Sequence, residues 1–378
     1  VTLSASRMDK ARSCHFAYFM RYGLRAKERT GAGFDAPQIG TFVHDVMENT
    51  LRAAKERGGL HALSEEALHE LVRASIEAYI DRVLPDLNEK SARFQYLFHR
   101  LCAAVDRIMD EVSEELKSSD FEPLAFELAF GADGQLPAIT IREKNGTARV
   151  VGKVDRVDGW LHNGKLYLRV VDYKTGKKSF DLAELRYGLG LQMLLYLFTL
   201  KEEGRALFGG QEIVPAGVLY TPAREPMLRC ARDTAPEKIE KARKKELRRS
   251  GMVLEDPAVL QAMEHSALTS PCYLPIAVKK DSAVTGSLAS AEQLGKLSKY
   301  VDRLLHEITQ EVFAGNIDAD PYARTPQLSA CTYCEFASAC HFENGCGSDR
   351  MEYIKATKND EFWQHIDEVN GKEARSDG

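Results

Sequence analysis

Three charged residues near the middle of the chain have the types and spacing of a metal-assisted hydrolase. Asp155 lies in the run RVVGKVDRVDGW, and Asp172 and Lys174 close the run LYLRVVDYK that follows it. Alternate residues of a strand share a face, so Asp172 and Lys174 point one way and Tyr173 the other. A paired strand carrying Asp155 brings a second carboxylate alongside. Two carboxylates converging at a strand end attract a hard divalent cation such as Mg²⁺, which takes oxygen ligands and keeps several waters. A lysine beside it can orient or deprotonate a water, or stabilise charge developing on a phosphate. Metal, water and lysine together suit phosphodiester hydrolysis. The plainer reading of the same residues is that charges gather at strand ends because strand ends are wet.

The elements that must position these residues follow from the surrounding pattern. Both runs are rich in β-branched and apolar residues, and Asn163-Gly164 between them is a hairpin signal because both residues tolerate positive φ. Further strands are expected at about 123–130, 138–143 and 213–220. Glu127, in the first of these, either faces solvent or leans toward the metal site. A helix is expected over 38–57, with Ile39, Phe42, Val43, Val46, Met47 and Leu51 as its apolar stripe. His44 lies beside that stripe, and by position alone it reads as a structural histidine. A Gly/Pro-rich linker at 31–37 precedes this helix, and two or three amphipathic helices follow over 64–118. After Lys174 a helix is expected to begin near Asp181, its N-cap, with Glu184 three residues on as in a capping box. Gln192 and Tyr196 share one face of it. At the N-terminus, Ser4 or Ser6 can cap a short helix whose aromatics pack on the main body. The stretch 223–290 reads as a helical insertion. Its basic run KARKKELRRS is either a solvated helix face or a surface that tracks phosphates. Another helix is expected over 291–313.

Composition bounds the possibilities. The chain has 378 residues, enough for a large core, with 44% hydrophobic and 28% charged residues, as in ordinary globular proteins. A net charge of −5 excludes a wholly basic nucleic-acid glove, so any phosphate contact must come from a local patch or a partner. No apolar run reaches the length of a membrane span and no signal-peptide pattern opens the chain, which leads to the expectation of a cytoplasmic protein. The first residue, Val1, suggests a fragment or a processed chain. Of the eight cysteines, Cys331, Cys334 and Cys340 fall within ten residues, CTYCEFASAC. Three thiolates are one short of what zinc or a cubane iron–sulfur cluster requires. The fourth ligand could be Cys346, His341 or the distant Cys14. Cys346 makes the simplest local zinc site, and Cys14 would tie the two ends of the chain together.

Taken in order, these motifs resemble the RecB-type branch of the PD-(D/E)XK nucleases: a helix histidine (His44 in GTFVHDVME), an aspartate in a GK-D-R strand (Asp155), a DYKT strand end (Asp172, Lys174) and a QxxxY helix (Gln192, Tyr196). The opening SASRMDKARSCHFAYFMRYGLR and the closing ACTYCEFASAC look like the ends of the AddB-like nucleases within that branch. The resemblance implies an α/β fold with a mixed central sheet flanked by helices, as one nuclease domain over 1–378. It implies a 4Fe–4S cluster held by Cys14, Cys331, Cys334 and Cys340. It also implies Mg²⁺ or Mn²⁺ bound by Asp155 and Asp172, with His44 and the Tyr173 carbonyl as further ligands. Lys174 would serve the attacking water, and Gln192 and Tyr196 would position the DNA strand or the lysine. The implied activity is DNA cleavage, exonucleolytic on single strands, in double-strand-break repair and recombination, alongside a helicase subunit of AddA type. AddB-like proteins carry a helicase-like region before this domain. The likeness is therefore to their C-terminal nuclease domain alone, or to a short stand-alone relative. The rival from another class is a non-catalytic iron–sulfur DNA-binding module, which would have no use for Lys174.

Overall fold

A computed structural model describes residues 1–27, 36–325 and 327–376. The expected linker at 31–37 lies outside the described residues except for its last two, which already belong to a helix.

The chain opens with β1 (Thr2–Ser4), α1 (Ala5–Ser13), α2 (His15–Tyr18) and a π-helical turn at Phe19–Gly23. Ser4 caps α1, its hydroxyl accepting from the Arg7 N–H at 3.3 Å. Three longer helices follow: α3 (Ala36–Glu56), α4 (Glu65–Val83) and α5 (Ala92–Lys117). The strands β2 (Glu122–Phe130), β3 (Ile139–Glu143), β4 (Gly146–His162) and β5 (Lys165–Lys174) come next, the last two joined by the expected Asn163-Gly164 turn. Then come α6 (Leu182–Arg186), α7 (Gln192–Glu203) and β6 (Glu212–Pro222). The remainder holds α8 (Pro236–Glu246), β7 (Ser250–Leu254), α9 (Pro257–Met263), the small hairpin β8–β9 (Ile276–Val278 and Val284–Gly286), β10 (Leu288–Ala289) and α10 (Ala291–Ala314). A three-stranded sheet of β11 (Tyr322–Thr325), β12 (Leu328–Ser329) and β13 (Glu352–Tyr353) follows, with α11 (Ala337–Cys340) between its last two strands in sequence, and α12 (Asn359–Ser376) is the last element.

The main sheet is mixed. Its order is β1-β4-β5-β6-β7-β10, with β2 and β3 also paired to β4. β4 and β5 are antiparallel, β5 and β6 parallel, β6 and β7 antiparallel. The stretch 223–290 is therefore not a helical insertion, because β7 and β10 extend the sheet. The apolar run that forms β7 is only five residues long and directly follows the basic helix, so composition hid it. The helix expected from Asp181 to Tyr196 is also two helices. Gly188 and Gly190 adopt φ of 76° and 67° between them, and left-handed residues end an α-helix. Asp181 does cap α6, but Glu184 pairs with Arg324 and Lys178 rather than closing a capping box.

Helices cover both faces of the sheet. On one face α3, α4 and α5 enclose a core that takes Phe126, Val171 and Tyr173 from the strands. On the other, α7, α9, α10 and α12 pack against Leu128, Val154, Leu168 and Val170. Val170 and Val171 thus enter different cores, as a period of two requires. Buried Arg156, Asp158, Arg169, Glu115 and Arg249 link the layers: Arg156 and Arg169 each lie 2.8 Å from Asp158, and Arg249 lies 2.5 Å from Glu115. Such charges stay buried only when paired, and removing one partner would strand the other. Among the described residues no helix is long and apolar enough to cross a membrane.

Candidate active site and cysteine cavity

Strand alternation sends Asp172 and Lys174 to the α7 face and Tyr173 to the α3 face. Lys174 Nζ lies 2.5 Å from Asp172 Oδ2, and 5.7 Å from the centre of the Tyr220 ring beneath it. That Asp172 oxygen is buried, and the Lys174 ammonium is its partner. Burial first, then the neighbouring Asp155 charge, pushes the Asp172 carboxyl up to about 6. Asp155, on β4, accepts the backbone N–H of Tyr173 at 2.9 Å. His44 reaches in from α3: its Nδ1 lies 3.4 Å from Asp155 Oδ2 and its Nε2 lies 2.9 Å from the Tyr173 carbonyl oxygen. Burial lowers the His44 pKa, but the Asp155 carboxylate more than offsets this, and the net shift is upward. With an acceptor at each ring nitrogen the imidazolium is favoured, and its charge stands where a cation would balance the carboxylates.

Glu127 completes the cluster. Ligand atoms of His44, Glu127 and Asp155 lie within 4.8 Å of one another. The register explains why: Phe126 pairs with Arg156 and Leu128 with Val154, so Glu127 stands opposite Asp155. Its φ of 49° breaks the strand, since a left-handed non-glycine residue costs on the order of 1–2 kcal/mol. The break sends Phe126 into the core under α3 and Leu128 into the opposite one. The regular alternation of PLAFELAF hides this turn. Burial raises the Glu127 carboxyl, and its ion pair with Lys153 offsets part of the rise. Crowded carboxyl groups, two of them with raised pKa values, and a backbone carbonyl form the donor set of a hard divalent cation.

Gln192 and Tyr196 sit on the same face of α7, as their spacing predicts, but only Gln192 is partly exposed. Tyr196 is buried and stacks on Phe130 with ring centres 5.2 Å apart. Its hydroxyl accepts from the Lys153 N–H at 3.3 Å and from Gln192 Nε2 at 3.4 Å. Gly152 makes room for it, because a Cβ there would come within 2.4 Å of the tyrosine oxygen. Tyr196 thus braces β4 next to Asp155. Sequence reasoning also passes over Arg156, which donates to the Tyr173 hydroxyl at 2.6 Å and holds the residue whose carbonyl faces the site.

The cysteines meet at the other end of α1. Cys14, Cys331, Cys334 and Cys340 line one cavity of about 470 Å³, together with Lys10, Phe16 and His341. Cys346 is exposed and does not line it. Cys14 is buried, and burial pushes its thiol up to about 11. Burial and then the nearby Cys334 and Cys340 raise Cys331. The N-terminal arm is tied to the cysteine loop by Phe16 N–H to Asp318 carbonyl at 2.9 Å, His15 N–H to Asp320 at 2.8 Å and Arg21 to Glu335 at 2.6 Å. In the basic run, Arg243 pairs with Glu111, Arg248 donates to the Pro271 carbonyl at 2.6 Å, and Arg249 is buried on Glu115. Lys241, Lys244 and Lys245 remain exposed.

Comparison with known proteins agrees with this geometry. The chain is 32% identical over its whole length to the B-type subunit of the ATP-dependent helicase/deoxyribonuclease of Thermoanaerobacter sp. (strain X514). It is 34% identical over 95% of its length to the protein of that name from Acetivibrio thermocellus, and 31% identical over 98% to that from Ruminiclostridium cellulolyticum. It spans only 32–33% of the length of these relatives. The sequence profile of the PD-(D/E)XK nuclease superfamily matches residues 2–341, nearly all of the chain that builds the sheet, the charged site and the cysteine cavity, and the chain belongs to that superfamily.

Proposed function

We propose that this chain is a metal-dependent deoxyribonuclease, acting as an exonuclease on single-stranded DNA within a helicase–nuclease that repairs double-strand breaks. One observation carries the reading. A buried carboxylate, Asp172, pairs with Lys174 at one strand end and faces Asp155, His44 and the Tyr173 carbonyl. These groups, with Glu127 as a further donor, would hold Mg²⁺ or Mn²⁺. Bound there, the ion supplies Lewis acidity toward a phosphate oxygen and a water of lowered pKa. The protein's own part is to orient and to neutralise. Lys174, partly exposed, presents its ammonium to the attacking water and to charge growing on the phosphate. Asp155 and the Tyr173 peptide fix each other through their hydrogen bond. Gln192, at the open end of α7, positions the strand, and Tyr196 supports β4 behind it.

The cysteine cavity fits a 4Fe–4S cluster on Cys14, Cys331, Cys334 and Cys340. Four thiols line one cavity, and four thiolates are the number that a cubane cluster requires. The names of the relatives support a partner helicase subunit of AddA type, and work on chromosomal DNA beside such a partner would be cytoplasmic. The test is purified protein with end-labelled single-stranded DNA, with and without Mg²⁺. Metal-dependent release of short products is expected. DNA binding without cleavage would install the non-catalytic binding module instead.

A further inference from the structure

α1 ends at Cys14, and a half-buried carboxylate on it reaches the turn that precedes Gln192. Asp9 Oδ1 accepts the backbone N–H of Gly190 at 2.9 Å. Gly190 lies two residues before Gln192, in the left-handed turn that launches α7. That N–H has no place in either flanking helix, and a buried donor without a partner is costly. α1 also closes over the start of the turn, since a Cβ on Gly188 would stand 3.0 Å from Arg12 Nε. Arg12 in turn fastens α1 to α10 through Glu311 at 2.6 Å and Glu307 at 3.1 Å. The groups facing Asp9 are Lys178, Glu184 and Lys174, with Tyr220 and Tyr322 also within its field. Burial raises its carboxyl, and the Gly190 N–H and Lys178 offset part of that rise. Five residues further along, the C-cap of α1 is Cys14.

We infer that Asp9 is a positioning residue of the nuclease site: it ties the Gly188–Gly190 turn, and with it Gln192, to the helix that ends in Cys14. The inference rests on the nuclease reading above, but it makes a claim about one hydrogen bond that stands apart from activity. The cysteine cavity acts on the strand-end site through this bond, because whatever holds Cys14 in place holds Asp9 in place.

The test uses the full chain with its cysteines intact. In Asp9→Ala, amide exchange at Gly190 to Gln192 should quicken, kcat should fall about ten-fold with KM little changed, and iron content should stay as in wild type. Asp9→Asn keeps an acceptor oxygen and should restore both exchange protection and kcat, which a requirement for the charge alone would not allow. In a Gln192→Ala background, Asp9→Ala should lower kcat less than two-fold further, because the two changes break one connection. Where Asp9→Ala does not fold, Asp9→Ser, too short to reach Gly190, carries the same expectations. Unchanged exchange at Gly190 in folded Asp9→Ala, or in Asp9→Ser where it stands in, overturns the inference, as do fully multiplicative losses with Gln192→Ala. A wild-type chain that shows no cleavage would refute the nuclease reading alone and leave the exchange result to decide this one.

Discussion

The strand-end site and the cysteine cavity are assembled in opposite ways. Asp155, Asp172 and Lys174 come from the two arms of one hairpin, and ladder pairing from Arg156–Val171 outward is enough to bring them together. Cys14 and the cluster Cys331, Cys334 and Cys340 come from opposite ends of the chain, and only the finished fold makes them neighbours. A site of the first kind can lose a side chain without losing its scaffold. A site of the second kind closes a loop around almost the whole molecule, so what it loses the scaffold loses. On the proposed reading, chemistry is concentrated in one and stability in the other.

The sharpest way to break that division is at the hairpin. Asp172→Ala should bring metal-dependent cleavage below detection, and Lys174→Ala should cost about 10²–10⁴-fold in turnover while still binding metal. Circular dichroism of both variants should match wild type. Substantial activity in either folded variant would remove these residues from the mechanism.

At the other end the loss should appear in the fold. Anaerobically purified protein should be brown, and Cys14→Ala should lose the colour, DNA binding and thermal stability together, by about 3–5 kcal/mol in the loop-entropy account. Cys346→Ala should lose none of these. Full iron and sulfide content in Cys14→Ala would return the cysteines to a local site and erase the contrast.

A third measurement sets stability against chemistry within the strand-end site itself. The Asp172 carboxyl is raised to about 6, above its unfolded value near 4, so folding disfavours the ionised form. Metal-free protein should therefore lose stability as pH rises from about 4 to about 6, by on the order of 2–3 kcal/mol. Asp172→Asn should abolish that loss and melt higher than wild type at neutral pH, although it is inactive. Equal melting of the two proteins at pH 7.5 in Mg²⁺-free buffer would show that the carboxylate carries no such cost. Metal affinity should rise with pH over the same window, since ion and proton compete for one oxygen.

The smallest effect is expected at α8, which belongs to neither centre. Replacing Lys241, Lys244 and Lys245 with alanine should weaken DNA binding a few-fold and flatten its salt dependence. The log–log slope should fall by about 0.7 for each single-strand phosphate that a lysine had neutralised. An unchanged slope would make this a solvated face. The same changes at Arg243 or Arg249 should instead destabilise the protein, because both are paired with glutamates on α5.

Local chemistry makes much of the strand-end site legible in advance. A β-branched run, an Asn-Gly turn and a two-residue alternation together specify that Asp172 and Lys174 share a face and that Asp155 lies across from them. The helix of His44 is visible in its apolar stripe, and the capping serine of α1 in its type and place. Glu127 falls between two readings, because a left-handed residue in mid-strand has no signature in an alternating sequence. Arg249 looks like part of a basic surface, because its partner Glu115 lies in a different layer of the fold. Asp9 gives no signal at all, since a lone aspartate on a short helix is ordinary until the turn it serves is seen.

By itself, then, the sequence determined what depends on neighbours along the chain: strand faces, caps, the hairpin and the three clustered cysteines. Tertiary structure alone decided that Cys14 lines a cavity with the three, which side Glu127 faces, that β7 and β10 extend the sheet, and that α1 reaches from the cavity to the turn before Gln192. The physical reason is the range of the forces involved. Backbone sterics and hydrogen-bonding periodicity act over a few residues and leave their mark in order and spacing. Burial and the pairing of buried charges act between whatever surfaces the fold brings together, and no local pattern encodes that meeting.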